Sequence, residues 1–198
     1  TTFGGEEHLD AITDAMLHNK CVHIVYHSYW KEAQTFTVEP YFVKFFKQRW
    51  YLIGFCRERN GLRVYSFDRM DSATVSDSNF TMKEDNFPQV LYNDNFGIMH
   101  GEEKDKAHDM LLKFTVKQGQ YILTRPLHHS QEVISRDENH IIFKVHMKVT
   151  LDLIQELLSY GPSLQVLSPD CLINEIGKAI SEMSKLYVSP ASPLLPIP

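Results

Sequence analysis

RWYLIGFCRERNGLRVYSFDRM, residues 49–70, decides how this chain is read. QRWYLIGFCRE (48–58) has the composition of a buried strand, Arg59-Asn60-Gly61 is a turn, and LRVYSF (62–67) is a second strand. Two apolar runs around a glycine-containing turn predict a β-hairpin. Toward the N-terminus, QTFTVEPYFVKFF (34–46) is a longer strand whose Pro40 implies a bend or bulge. CVHIVYHSY (21–29) alternates, with Val22, Ile24, Tyr26 and Ser28 on one face. EEHLDAITDAMLHN (6–19) changes period: Leu9, Ile12, Ala15 and Met16 recur at helical spacing. Beyond Asp68-Arg69-Met70, one last short strand is expected near 72–76. Several short strands after one helix predict a small SH3- or Sm-like β-barrel.

Residues 77–108 are polar and irregular, with NDNFGIMH (93–100) the place for a short helix. The rhythm then alters. DMLLKFTV (109–116) is a strand, QGQYILTR (118–125) a helix ended by Pro126, and residues 130–137 and 140–149 a hairpin around Glu138-Asn139. TLDLIQELLSYG (150–161) is a helix with Thr150 as N-cap and Gly161 as its stop. A strand at 164–169 and a long helix at 169–187 follow. Strand-helix-strand-strand-helix-strand is the split βαβ, ferredoxin-like order. The fold class expected is α+β: helix and small barrel over 1–80, a linker over 81–108, a ferredoxin-like domain over 109–188, and a disordered proline-rich tail over 189–198.

Composition narrows the function. The 198 residues carry a net charge of −5, unsuited to gripping duplex DNA with the whole surface. The window from Lys44 to Arg69 nevertheless holds seven basic residues against Glu58 and Asp68, a net +5 on an otherwise acidic chain. Such a patch suits an anionic ligand; its plain alternative is a solvated strand face. Cys21, Cys56 and Cys171 are scattered and odd in number, which fits a reducing compartment better than a disulfide framework or zinc site. No apolar run is long enough to cross a bilayer, and the first residues lack a signal-peptide pattern, so a cytoplasmic protein without membrane contact is expected. Nucleophile-elbow, zincin, phosphate-loop and C-x-x-C motifs do not occur, so neither catalysis nor a cofactor is expected. His23 and His27 share a strand face about 13 Å apart, too far to hold one metal. His128-His129 lie adjacent in a loop.

Trp50-Tyr51-Leu52, the turn, Arg63 and Asp68-Arg69-Met70 together resemble the signature of the WYL domain, with Met70 in place of the commoner isoleucine. Ile24-Val25-Tyr26 and Val38-Glu39-Pro40-Tyr41 are similar to that family's first two strands. PLHHSQ (126–131), SYGPSLQVLSP (159–169) and the closing helix resemble the C-terminal extension of WYL regulators. The resemblance covers roughly 6–187. It implies the effector-sensing part of a bacterial transcription regulator, a homodimer whose duplex-DNA contacts belong to an N-terminal helix-turn-helix domain. The segment before Glu6 is too short for that domain, and the chain starts without methionine, so an excised fragment is expected.

On residue chemistry, arginine forks suit phosphate oxygens and tyrosine rings suit nucleobases. Alternation suggests that Tyr51 and Arg63 line one concavity with Tyr26 and Ser28 from the first strand, closed by Arg69, with Arg57 flanking the turn. The resemblance implies the same pocket, taking a nucleotide or single-stranded nucleic acid as effector. Against this stand core packing for the tyrosines, an Asp68-Arg69 ion pair in the turn, and a pure assembly module with no small ligand. A nucleotide hydrolase is a third reading.

Overall fold

A computed structural model describes residues 4–100 and 106–188. The tail at 189–198 and the linker residues 101–105 lie outside them. Two compact units emerge, the first built from residues up to Asn93 with Gly97–His100, the second from Asp94–Phe96 and the residues after Gly101.

The first unit opens with a helical turn, Glu6–His8, and α1, Leu9–Leu17, followed by β1 (Lys20–Tyr26), β2 (Gln34–Phe46), β3 (Arg49–Cys56), β4 (Gly61–Ser66) and β5 (Met70–Asn79). The five strands form one antiparallel sheet in the order β4-β3-β2-β1-β5. Apolar residues at alternate strand positions build its core: Val22, Ile24, Phe36, Val38, Leu52, Cys56 and Tyr65 are buried with Ile12 and Ala15 of α1. The His8 ring donates to the Met70 carbonyl at 2.9 Å and ties the helical turn to β5. Trp50 and Leu52 belong to this core, Leu52 wholly buried and Trp50 packed against it.

Pro40 marks a bulge, as its lack of an N–H leads one to expect. The register jumps from Pro40–Gly54 to Phe42–Ile53, so Val38 before it and Val43 after it face the same core despite their odd separation. Gly54 is required here: a Cβ at that position would lie 2.3 Å from the Glu39 carbonyl oxygen. β5 runs longer than the strand expected at 72–76, because pairing with β1 sustains a sequence of modest strand propensity. The outer face of β2 and β3 carries a second cluster, Phe42 and Ile53 with Tyr92. The short helix after the sheet, α2, is Pro88–Leu91 rather than 93–100. Pro88 at its first turn supplies a helical φ without needing a donor.

The second unit comprises β6 (Ala107–Thr115), α3 (Val116–Thr124), β7 (Glu132–Arg136), β8 (His140–Lys148), α4 (Leu151–Ser159), β9 (Leu164–Ser168) and α5 (Asp170–Val188). Its antiparallel sheet has the order β7-β8-β6-β9. Met110, Leu112 and Phe114 of β6 and Ile141, Phe143, Val145 and Met147 of β8 alternate into the core, covered by Ile122, Leu153, Leu157 and Leu172 from the helices. Thr150 caps α4 by accepting from the Leu153 N–H, and the Asp137 carboxylate closes the β7–β8 turn on the N–H groups of Asn139 and His140. Gly161 adopts φ 53° where α4 stops, a conformation that favours glycine. Among the described residues no helix is long and apolar enough to cross a membrane.

Candidate functional site

Basic and aromatic side chains meet where β1 ends and β5 begins. Tyr26, the last residue of β1, is opposite Met70, the first of β5. Only 9% exposed, Tyr26 sets its ring edge-on to that of Tyr65, with centroids 5.0 Å apart. Tyr65 is 2% exposed and leans on Phe36 at 5.8 Å. Arg69 places its guanidinium over two rings, 4.9 Å from that of Tyr26 and 5.1 Å from that of Tyr29. Arg59 lies over Phe36 at 4.5 Å. Planar guanidinium over a ring face is a favourable pairing that leaves the N–H fork free at its edges.

The loop after β1 is held to this end of the sheet by its backbone and by charge. The His27 N–H donates to the Arg69 carbonyl at 3.1 Å, and the His27 ring is 3.2 Å from the Asp71 carboxylate. Arg49 has its pKa raised by the Tyr29 hydroxyl and then by Asp68, whose carboxylate is 3.6 Å away. Asp68 also accepts from the Ser66 hydroxyl. Ser28 and Lys31 close a turn, Lys31 N–H to Ser28 carbonyl, and Trp30 in that turn is 93% exposed.

Three buried polar atoms at this end have no hydrogen-bond partner among the described residues: the hydroxyls of Tyr26 and Tyr65 and Nε of Arg69. The Tyr26 hydroxyl lies near the Ser66 backbone and that of Tyr65 near Cys56, but neither contact has hydrogen-bond geometry. Burial pushes the Tyr26 phenol up, against the pull of Arg69. Burial pushes Tyr65 up further, helped by Cys56 and opposed by Arg59 and Arg63. Both phenols stay neutral and keep one donor each. Buried polar atoms without partners cost free energy.

The expected site residues separate into two groups. Tyr26 packs on Tyr65 and Arg69 lies over Tyr26, while Arg63 shares the strand face of Tyr65. Arg63 follows the parity of Tyr65 on β4 and bends its guanidinium back to donate to the Leu62 carbonyl at 2.7 Å. Ser28 lies beyond the strand end, half-buried in the adjoining loop rather than on the face of β1. Tyr51 does not share a concavity with Arg63. It is opposite Ser66, while Leu52 is opposite Tyr65 and Gly54 opposite Arg63, so Tyr51 belongs to the outer cluster with Phe42 and Ile53. Arg57 is also elsewhere: it pairs with Glu39 at 3.2 Å and donates to the Asn79 carbonyl at 2.9 Å, at the far end of β5. Residues not selected from sequence are Tyr65, Arg59, Tyr29, Phe36 and Arg49. Tyr65 carried a signal in its alternation with Arg63, and Arg49 and Arg59 carried one only as members of the basic window from Lys44 to Arg69.

In the second unit His128 and His129 stack at 4.0 Å, and the Nδ1 of His128 is 2.7 Å from the Ser130 hydroxyl. The Ser130 hydroxyl accepts from the His146 N–H at 2.8 Å, and Gln131 bonds Leu127 N–H and Ile122 carbonyl. The segment is thereby tied to β8 and α3. Among the described residues no group of three or more His, Cys, Asp and Glu is placed to hold a metal.

Comparison with known proteins agrees with this division. The WYL domain model matches residues 7–75 and the WCX domain model residues 106–184. Among solved structures, the chain is similar to the proteasome accessory factor B/C (PafBC) of Arthrobacter aurescens, at 19% identity and TM-score 0.43, over 98% of this chain and 29% of that one. It is also similar in fold to a CRISPR Cas-related protein, at 10% identity and TM-score 0.51, over 91% of this chain and 52% of that one. The chain thus spans 29% and 52% of those two proteins. No curated protein matches it. With one domain model on each unit, the chain carries a WYL domain followed by a WCX domain.

Proposed function

We propose that the chain is the effector-sensing region of a transcription regulator and that the basic and aromatic end of its first sheet binds an anionic, ring-bearing effector, a nucleotide or a short single strand of nucleic acid. The observation that carries this reading is Arg69, whose guanidinium lies over the rings of both Tyr26 and Tyr29 with its Nε buried and without a hydrogen bond among the described residues. A phosphate oxygen would pair with the guanidinium, and a base would stack over the exposed Tyr29 ring. Arg59 and Arg63 would add phosphate contacts, and the two tyrosine hydroxyls would donate to base or sugar oxygens. The strand order β4-β3-β2-β1-β5 supports a small SH3/Sm-like barrel, with this site at the end of it where β4 passes into β5. The order β7-β8-β6-β9, with helices after β6 and β8, supports a ferredoxin-like second domain.

The proposed role is non-catalytic. The regulator works as a homodimer, contacts duplex DNA through a separate DNA-binding domain, and changes that contact when the effector binds one conformational state better than another.

Fluorescence anisotropy of a labelled single-stranded oligonucleotide, with an equal-length duplex as control and at two salt concentrations, tests the ligand class. Saturable, salt-weakened binding of the single strand with little binding of the duplex is expected. A thermal shift with mononucleotides identifies a small nucleotide effector instead. No response to either class would contradict the reading.

A further inference from the structure

The second sheet has two unlike faces. Leu112 and Phe114 of β6, Ile141 of β8 and Leu164 and Val166 of β9 turn toward the helices and the core. Their strand neighbours Lys113, Thr115, His140 and Gln165 therefore turn to the opposite face. Register gathers these four side chains at one end of that face, with Lys113 opposite Gln165 and Thr115 opposite His140. The helical turn Gly161–Ser163 closes the end. Together with Ser163 the four side chains line a notch of about 120 Å³.

The notch holds uncommitted donors. Among the described residues the side chains of Lys113, Ser163 and Gln165 make no hydrogen bond or ion pair; Lys113 acts on Asp137 only through space. The Thr115 hydroxyl accepts from the Gln118 N–H at 3.4 Å, which leaves its own proton to donate. Asp137 lies beside the notch. Its carboxylate accepts from the N–H groups of Asn139 and His140, which hold it below the ordinary carboxylate range. It is 3.8 Å from Nδ1 of the His140 ring, so Nε2 is the ring atom left for a ligand. Lys144 provides the contrast. It shares this face of β8, but Asp109 holds its ammonium at 2.8 Å.

We infer that this notch binds a phosphate group, as the free ion or as the head of a small phosphomonoester. Charge sets the sign: Lys113 is a cation, His140 can become one, and no carboxylate is among the described residues that line the notch. Geometry sets the class. A planar carboxylate is matched by a planar arginine fork, and no arginine is among those residues. An ammonium, an imidazole, two hydroxyls and an amide instead approach from three strands and a turn. Such separate point donors suit the oxygens of a tetrahedral anion. Size excludes more: about 120 Å³ is the liquid volume of roughly four waters, room for a phosphate group but not for a base or sugar behind it. The site belongs to the second unit and does not depend on the effector reading of the first.

Proton NMR of the whole chain, titrated with inorganic phosphate at fixed pH and with chloride holding the ionic strength, reads the site through the His140 ring. Its resonances are assigned by their absence in His140→Asn. A saturable shift with its midpoint at or below about a millimolar is expected. Lys113→Gln should raise that midpoint at least about tenfold, and Gln165→Ala several-fold. Lys144→Gln should leave it within about twofold, because its ammonium is already held by Asp109. Sulfate should compete and acetate should not. Methyl phosphate separates the two sources: tighter binding than inorganic phosphate assigns a monoester, and weaker binding assigns the free ion. Arg69→Ala should leave the His140 response unchanged, so failure of the first-unit site and failure of this one are distinguishable. A shift that stays linear to about a hundred millimolar, or one weakened equally by Lys113→Gln and Lys144→Gln, would overturn the inference.

Discussion

Arg57 and Arg69 belong to the same sheet and the same basic window, yet they do different work. At one end Arg57 is spent: the Glu39 carboxylate and the Asn79 carbonyl take its N–H groups. At the other end Arg69 lies over the Tyr26 and Tyr29 rings, its Nε without a hydrogen bond among the described residues, while Arg59, in the same turn as Arg57, lies over Phe36 rather than against a carboxylate. A count of positive charge along the chain does not distinguish the two ends. What distinguishes them is the neighbour: a carboxylate neutralises and holds a guanidinium, whereas an aromatic ring positions it and leaves its charge for a ligand.

The largest effect that would break this comparison strikes the sheet holding both ends. Gly54→Ala puts a Cβ against the Glu39 carbonyl, with Val38 also within 2.8 Å, so β2 and β3 must separate. A loss of more than about 2 kcal/mol is expected, measured by denaturant unfolding. Tyr65→Phe sharpens the comparison. Removing a buried hydroxyl that has no hydrogen bond should leave stability unchanged or slightly raised, yet weaken the effector several-fold if the hydroxyl donates to it. Binding by Tyr65→Phe equal to wild type would remove that hydroxyl from the site. Arg63→Ala should leave the protein folded, since Arg63 is exposed and bonded only to the neighbouring Leu62 carbonyl among its described contacts. The slope of log affinity against log salt for a single strand should fall by roughly one, as for one lost phosphate contact.

The smallest effect concerns the acid-held side. Burial pushes Glu58 up, but hydrogen bonds from Thr37 and from its own backbone outweigh it and hold the carboxyl below its ordinary value. Its carboxylate accepts the Thr37 N–H through both oxygens, at 2.8 and 2.9 Å. A depressed carboxyl contributes stability that is fully present above its unfolded-state pKa and is lost as pH falls through its folded-state pKa. Glu58→Gln should therefore flatten the acid limb of the stability curve below about pH 4.5 and change little at neutral pH. Thermal midpoints against pH read this, and an unchanged acid limb would discount the Thr37 clamp.

Much of the fold was legible because alternation and capping are local. Val22-Ile24-Tyr26, Leu62–Phe67 and Thr150 each announce their element within a few residues. The site was only partly legible because register is not local. Cys56 pairs with Gly61 across the turn, which sets Tyr51 opposite Ser66 and Gly54 opposite Arg63. A shift of one residue at that turn turns every side chain of β4 to the other face. Reading Tyr51 and Arg63 onto one face therefore chose the wrong parity. Tyr29 and Arg59 lie in loops, where no period indicates direction. Arg57 follows the last residue of β3, and only the folded sheet brings Glu39 and Asn79 to it.

The central claim is that the end carrying Arg69 binds the effector and the end carrying Arg57 does not. Parallel anisotropy titrations of Arg69→Ala and Arg57→Ala with one single-stranded oligonucleotide, at one salt concentration, test it most directly. The account predicts a loss of at least about tenfold for Arg69→Ala and a change within about twofold for Arg57→Ala. Equal losses in the two variants, or a larger loss for Arg57→Ala, would contradict it.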